Sequence, residues 1–157
     1  MKLRAFDLVG RVFAKTFEEV SDMPIAKELT IRIENRPGSL ARVCRMLADR
    51  GVNIMAFQSI PSESTILMCI VADKPATAES VLEMEGITYT EAEVAQVKLP
   101  NKPGELGRAA SKLGEANINI HYAYCGVEPD TNFPLMIFGV TEVGRAAEIL
   151  DHTAVAL

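Results

Sequence analysis

The chain has 157 residues, 48% of them apolar and 24% charged, with a formal net charge of −5. That is enough apolar material for a packed core, in one ordinary domain or two small ones. The acidic balance offers no general attraction to nucleic-acid backbones or anionic lipid, and no apolar stretch is long enough to span a bilayer.

Residues 1–22 can be read in two ways. Phe6, Val9, Phe13, Phe17 and Val20 recur at spacings of three and four, the pattern of an amphipathic helix. Alternatively, translation begins at Met23 and the preceding residues are an extension without function. Acidic residues are mixed with the basic ones and no long apolar segment follows, which argues against a secretory signal. From residue 28 to 34, Leu29, Ile31 and Ile33 alternate with polar residues, which predicts a strand that Pro37-Gly38 ends. After it, Leu40, Val43, Cys44 and Leu47 have helical spacing, and Gly51 is suited to the left-handed residue that closes a helix. A strand over 52–60, a turn at 61–64, a buried strand over 65–72, a helix over 76–85 and a strand over 87–94 complete a βαββαβ unit.

A shift of 66 residues lays Asn35-Arg36-Pro37-Gly38-Ser39-Leu40 onto Asn101-Lys102-Pro103-Gly104-Glu105-Leu106. Eight of the twenty positions from 35 to 54 are identical to their counterparts, including Asn53-Ile54 on Asn119-Ile120. Asn117, which also tolerates the left-handed conformation, stands near the end of the second helix where the first copy has Gly51. The second copy reads as strand 94–99, helix 105–116, strand 118–125, a turn around 128–132, strand 135–140 and helix 143–150. Only residues 152–157 remain for its last strand. The expected fold class is therefore α+β, two ferredoxin-like units with antiparallel sheets and helices on one face, over residues 23–93 and 94–157. Strand 87–94 runs straight into strand 94–99, so the pair should be rigid, and packing the sheets side by side or face to face would relieve the marginal size of each unit.

The residues Asn-x-Pro-Gly-x-Leu, followed thirteen residues after the leucine by Asn-Ile, resemble the ACT domain, a regulatory fold that binds amino acids in many metabolic enzymes. The resemblance is close over 33–58, recurs over 99–124, and with the strand order covers about 25–157. The tandem arrangement without a catalytic domain is similar to stand-alone double ACT proteins. The resemblance implies one binding loop of Asn35, Gly38, Ser39 and Leu40 and another of Asn101, Gly104, Glu105 and Leu106. It also implies that a ligand sits between units, facing a neighbouring strand, which brings in Asn53, Met55, Asn119 and His121.

Elementary chemistry gives the same loops a task. Gly38 and Gly104 allow close backbone approach at a helix start, where unpaired N–H groups and the helix dipole favour a carboxylate. Asn35 and Asn101 supply a donor and an acceptor, and an α-amino acid needs both. The competing readings are structural: an asparagine that caps the helix or orders the turn, a glycine present only for its backbone angles, and Asn53 and Asn119 bracing their strands. Tyr122 and Tyr124 share one face of their strand, suited to a pocket, a subunit interface or packing between sheets. Glu105 in place of Ser39 would repel a carboxylate, so the two loops should differ.

No phosphate loop, metal-ligand spacing or triad order is present, so neither catalytic residues nor metal ligands nor a cofactor is expected. Base stacking by an RNA-recognition sheet would need aromatics on strands 29–34 and 65–72, which have none. Cys44, Cys69 and Cys125 read as reduced core residues, which suits the cytoplasm. The expectation is a non-catalytic, cytoplasmic sensor of an amino acid, forming a homodimer. The alternative is a regulatory subunit with an enzyme partner: residues 35–59 also resemble the small subunit of acetohydroxyacid synthase, although the second loop departs from the pattern expected of that subunit.

Overall fold

The computed structural model describes residues 24–129, 131 and 133–151. The readings of residues 1–22 and of a last strand over 152–157 lie outside them. The order is β1 (Ile25–Glu34), α1 (Ser39–Ala48), β2 (Ile54–Ser62), β3 (Thr65–Ala72), α2 (Pro75–Met84), β4 (Tyr89–Lys98), α3 (Glu105–Glu115), β5 (Ile120–Val127), β6 (Pro134–Val140) and α4 (Val143–Asp151).

Helix ends follow the local chemistry. Gly51 and Asn117 take the left-handed conformation, with φ of 67° and 58°. Each is part of a Schellman closure. Gly51 N–H donates to Ala48 O at 2.9 Å and Val52 N–H to Leu47 O at 3.1 Å. In the second copy, Asn117 N–H donates to Gly114 O and Ile118 N–H to Leu113 O, both at 2.9 Å. Val52 against Leu47 and Ile118 against Leu113 add the buried apolar contact that accompanies this motif.

The expectation of two separate ferredoxin-like sheets is corrected: the six strands form one closed antiparallel sheet in the order β1-β3-β2-β5-β6-β4. Within it, β4-β1-β3-β2 retains the strand order of the first repeat. The reason for fusion is β4. Its first part pairs with β1, from Tyr89 against Ile31 to Ala95 against Ile25, while its last part pairs with β6, from Ala95 against Phe138 to Lys98 against Leu135. One strand therefore serves as the last of copy one and the first of copy two. Closure on the opposite side rests on a single bridge, Ala56 with Gly126, between β2 and β5.

Alternation along the strands divides the interior into three clusters. Leu29, Ile31, Val43, Leu47, Met68, Ile70 and Leu82 pack between α1, α2 and the sheet. Val97, Ala109, Leu113, Phe138, Ala146 and Leu150 do the same beneath α3 and α4. The opposite strand faces meet inside the closed sheet, where Ala56, Cys69, Val71, Val94, Tyr124, Leu135 and Ile137 form a core shared by both copies. Burying a second face in this way is how two small units gain apolar area that neither has alone. The cysteine reading needs one correction: Cys69 is buried and Cys44 half-buried, but Cys125 is exposed. It alternates with inward-facing Tyr124 and so points outward.

Candidate functional site

The two repeated loops have matching geometry. Gly38 and Gly104 occupy the N-cap positions of α1 and α3 with φ of 87° and 89°, and no side chain caps either helix. A Cβ built on either glycine meets nothing within 4 Å, so the backbone angle, not crowding, demands glycine there. Ser39 N–H donates to Arg36 O at 3.2 Å, and Glu105 N–H to Lys102 O at 3.4 Å. Asn35, Asn101, Leu40 and Leu106 are exposed, while Ser39 and Glu105 are half-buried. The loops differ in charge. Arg108 Nε donates to Glu105 Oε2 at 3.1 Å and its Nη2 reaches the same oxygen. The Glu105 carboxylate is thus partly neutralised, which reduces the repulsion expected of it.

Strand register decides which residues share an end of the sheet. Gly126 and Lys98 both pair with Leu135, and Leu99 N–H donates to Pro134 O at 3.1 Å. Loop 101–106 leaves from this end, and the Ala56–Gly126 bridge puts Asn53 and Met55 of the first copy there too. Loop 35–40 lies at the opposite end, where Glu34 and Ser62 both pair with Thr65. Because β2 and β5 run antiparallel, Asn119 and His121 belong to that end. Each loop therefore shares its end with the second-copy or first-copy strand candidates, not with those of its own repeat.

Two features of these strands were not foreseen. The register of β2 shifts between Ile54 and Ala56, and that of β5 between Ile120 and Tyr122. Met55 and His121 are the extra residues of equivalent bulges, a device that re-aims a side chain. Met55 and Asn53 also line an open cleft of about 380 Å³ with Phe57, Cys125, Val127 and Pro129. The candidates of loops 35–40 and 101–106 do not line it. Asn53 is held through its backbone, its N–H donating to Asp73 Oδ1 at 2.8 Å and its carbonyl accepting from Asp73 N–H at 3.0 Å.

Between the two ends lies a buried polar cluster. Glu28, 2% exposed, accepts from Tyr122 Oη at 2.7 Å and from Tyr124 Oη at 2.6 Å. The tyrosine rings stack with centroids 6.4 Å apart. Tyr122 lies over Gly139, where an added Cβ would sit 2.2 Å from the ring. Nearby, Thr30 Oγ1 and Cys69 Sγ are 3.6 Å apart. Both tyrosines pack inside the closed sheet, Tyr124 within the core shared by the two copies and Tyr122 against it. Glu28 was missed because a polar residue on an alternating strand reads as solvent-facing. The available signal was the pair of polar-tipped aromatics on one face, which need a partner when buried.

Burial, then the Glu28 hydrogen bonds and charge, push both phenols well above the usual tyrosine range. The folded state thus favours the protonated phenols, whereas the unfolded chain ionises near pH 10. Their contribution to stability is complete below about pH 10 and declines as pH rises beyond it. We expect the denaturant midpoint to fall between about pH 10 and pH 12. The Tyr122→Phe/Tyr124→Phe variant, starting lower, should fall less. Parallel curves for the two proteins would contradict this.

The model of the ACT domain family matches residues 27–83. Over these residues the chain is similar to an ACT domain. The matched stretch takes in β1 to the end of α2, with the first Gly-capped loop. Comparison with curated proteins gives no match. Among solved structures, a protein of Bacteroides thetaiotaomicron is similar with a TM-score of 0.73 at 22% identity, over 83% of this chain and 90% of that one. The ligand-free regulatory subunit of aspartate kinase from Thermus thermophilus is similar with a TM-score of 0.57 at 19% identity, over 85% and 94%. The corresponding subunit from Thermus flavus gives 0.51 at 17% identity, over 83% and 93%. At these identities the likeness is one of fold. It extends across both repeats, beyond the stretch matched as an ACT domain. Among the described residues no helix is long and apolar enough to cross a membrane.

Proposed function

We propose that this chain is a non-catalytic regulatory protein that senses a small ligand, an amino acid, between two ACT units spanning about 23–93 and 94–157. The observation that carries the reading is the duplicated loop, in which a glycine N-cap leaves the first N–H groups of a helix without a side-chain cap. Such a helix start favours a carboxylate. Support also comes from the register, which places each loop at the same end as the bulged strand of the other unit. Asn35 to Leu40 with Asn119 and His121 would form one site, and Asn101 to Leu106 with Asn53 and Met55 the other.

The test is a thermal-shift series with the twenty amino acids. A ligand at 100 times its Kd adds about 2.7 kcal/mol of stability. We expect at least one amino acid to raise Tm in this way, and silence across the series at millimolar concentrations would overturn the reading. Gly38→Val and Gly104→Val force a β-branched residue into a left-handed backbone and should each cost about 1–3 kcal/mol by strain. The variant that also loses the ligand-induced shift identifies the binding loop. Equal loss from both would argue against inequivalent sites.

A second reading, a regulatory subunit with an enzyme partner, is favoured by the fold shared with the Thermus aspartate kinase subunits. The resemblance of 35–59 to the acetohydroxyacid synthase small subunit points the same way. Co-purification with a larger enzyme chain separates this reading from a free-standing sensor. A homodimer belongs to both readings. Sedimentation checks it.

A further inference from the structure

The cleft at the bridged end has a chemistry of its own. Its walls come from both repeats, Met55 and Phe57 on β2, Val127 at the end of β5 and Pro129 after it. Its floor is formed where two backbones touch: a Cβ on Gly126 would lie 1.9 Å from Met55 O and 2.5 Å from Ala56 Cα. Among the described residues no lining side chain carries a charge, and Asn53 is the one amide. The buried carboxylate of Glu128, between Val127 and Pro129 in sequence, accepts from Thr131 Oγ1 at 2.6 Å and faces Lys98 Nζ at 3.8 Å. Phe57 and Val127 are 39% and 51% exposed, so apolar surface is left facing water at the one place where β2 meets β5. The pseudo-equivalent pair at the other end, Ile60 and Tyr122, forms no bridge, so the fold builds this floor once per chain.

We propose that this cleft takes the side chain of an uncharged aliphatic or thioether amino acid, one per chain, and rejects acidic and basic ones. The inference rests on the reading of the chain as an amino-acid sensor and deepens it by naming the ligand class and the end of the sheet. An apolar side chain displaces water from Met55, Phe57 and Val127, whereas a charged one set against these three side chains loses hydration. A volume of about 380 Å³ is at the small end of ligand sites, in keeping with one amino acid.

The exposed thiol of Cys125 lines the cleft and reports on its occupancy. Cys69 is buried, and burial pushes its thiol up, so it should react slowly. The experiment follows the rate at which Ellman's reagent modifies the full chain, alongside Tm, with valine, leucine, isoleucine, methionine, lysine, arginine, aspartate and glutamate. Cys125→Ser assigns the fast phase. At least one of the first four should raise Tm and slow that phase by about tenfold at ten times its Kd, as site occupancy requires. The four charged amino acids should do neither. Val127→Asp, at a half-exposed position, should keep the unliganded Tm and weaken the aliphatic ligand by at least about tenfold. A charged amino acid giving the larger effect, a Tm rise without Cys125 protection, or unchanged binding by Val127→Asp would each overturn the cleft while leaving the sensor reading intact. No response to any of the twenty amino acids would overturn both.

Discussion

Replacing both Tyr122 and Tyr124 with phenylalanine is expected to destabilise the protein by about 3–5 kcal/mol, the cost of leaving both oxygens of a buried carboxyl without their hydrogen-bond donors. Glu28 is 2% exposed and receives both hydroxyls, at 2.7 and 2.6 Å, so the double variant strands its carboxylate inside the closed sheet. At roughly 2–4 °C per kcal/mol for a chain of this size, Tm should fall by roughly 6–20 °C. The single variants should cost less, Tyr124→Phe more than Tyr122→Phe, because Tyr124 is the more buried. Glu28→Leu combined with both phenylalanines should recover much of the loss, since no unpaired polar group then remains. A triple variant as unstable as the double would show that shape, not charge, holds this region. Because Glu28 is in copy one and both tyrosines are in copy two, the same measurement reads how strongly the repeats are joined.

The second large effect is expected at Gly126. Valine there would press its Cβ into Met55 O at 1.9 Å and Ala56 Cα at 2.5 Å, both backbone contacts that cannot rotate away. Relief requires β2 and β5 to separate, and these strands share only the Ala56–Gly126 bridge. We expect a loss of about 3 kcal/mol or more, beyond the usual range of overpacking. Amide exchange should rise first in β2 and β5, while β1, β3, β4 and β6 stay protected. Uniform loss of protection would mean that the closed sheet opens only as a whole. Gly139→Ala offers a comparison, since its clash is with the Tyr122 ring, a side chain able to move once Glu28 releases it.

The extent to which this molecule was legible beforehand varies from residue to residue. Strand and helix order, the closing role of Gly51 and Asn117, and the N-cap glycines follow from period, spacing and backbone angle, which are local properties. The continuity of residues 87–99 was legible too, because two predicted strands met at Val94 without a turn between them. Glu28 was not, since alternation tells that it lies opposite Leu29 but not what covers that face. Nor were the bulges at Met55 and His121, which are set by how β2 and β5 fit β3 and β6.

By itself, then, the amino-acid sequence determined the order of the described strands and helices, the loops that begin α1 and α3, and the resemblance that made those loops candidates for a ligand. Only the tertiary structure decided that the repeats close into one sheet, that Glu28 is shared between them, and that the loop of each copy stands at the same end as the bulged strand of the other. The physical reason is range. Helix caps and strand alternation are fixed by neighbours a few residues apart, whereas closure depends on burying the inner faces of strands almost a hundred residues apart, as between Glu28 and Tyr124.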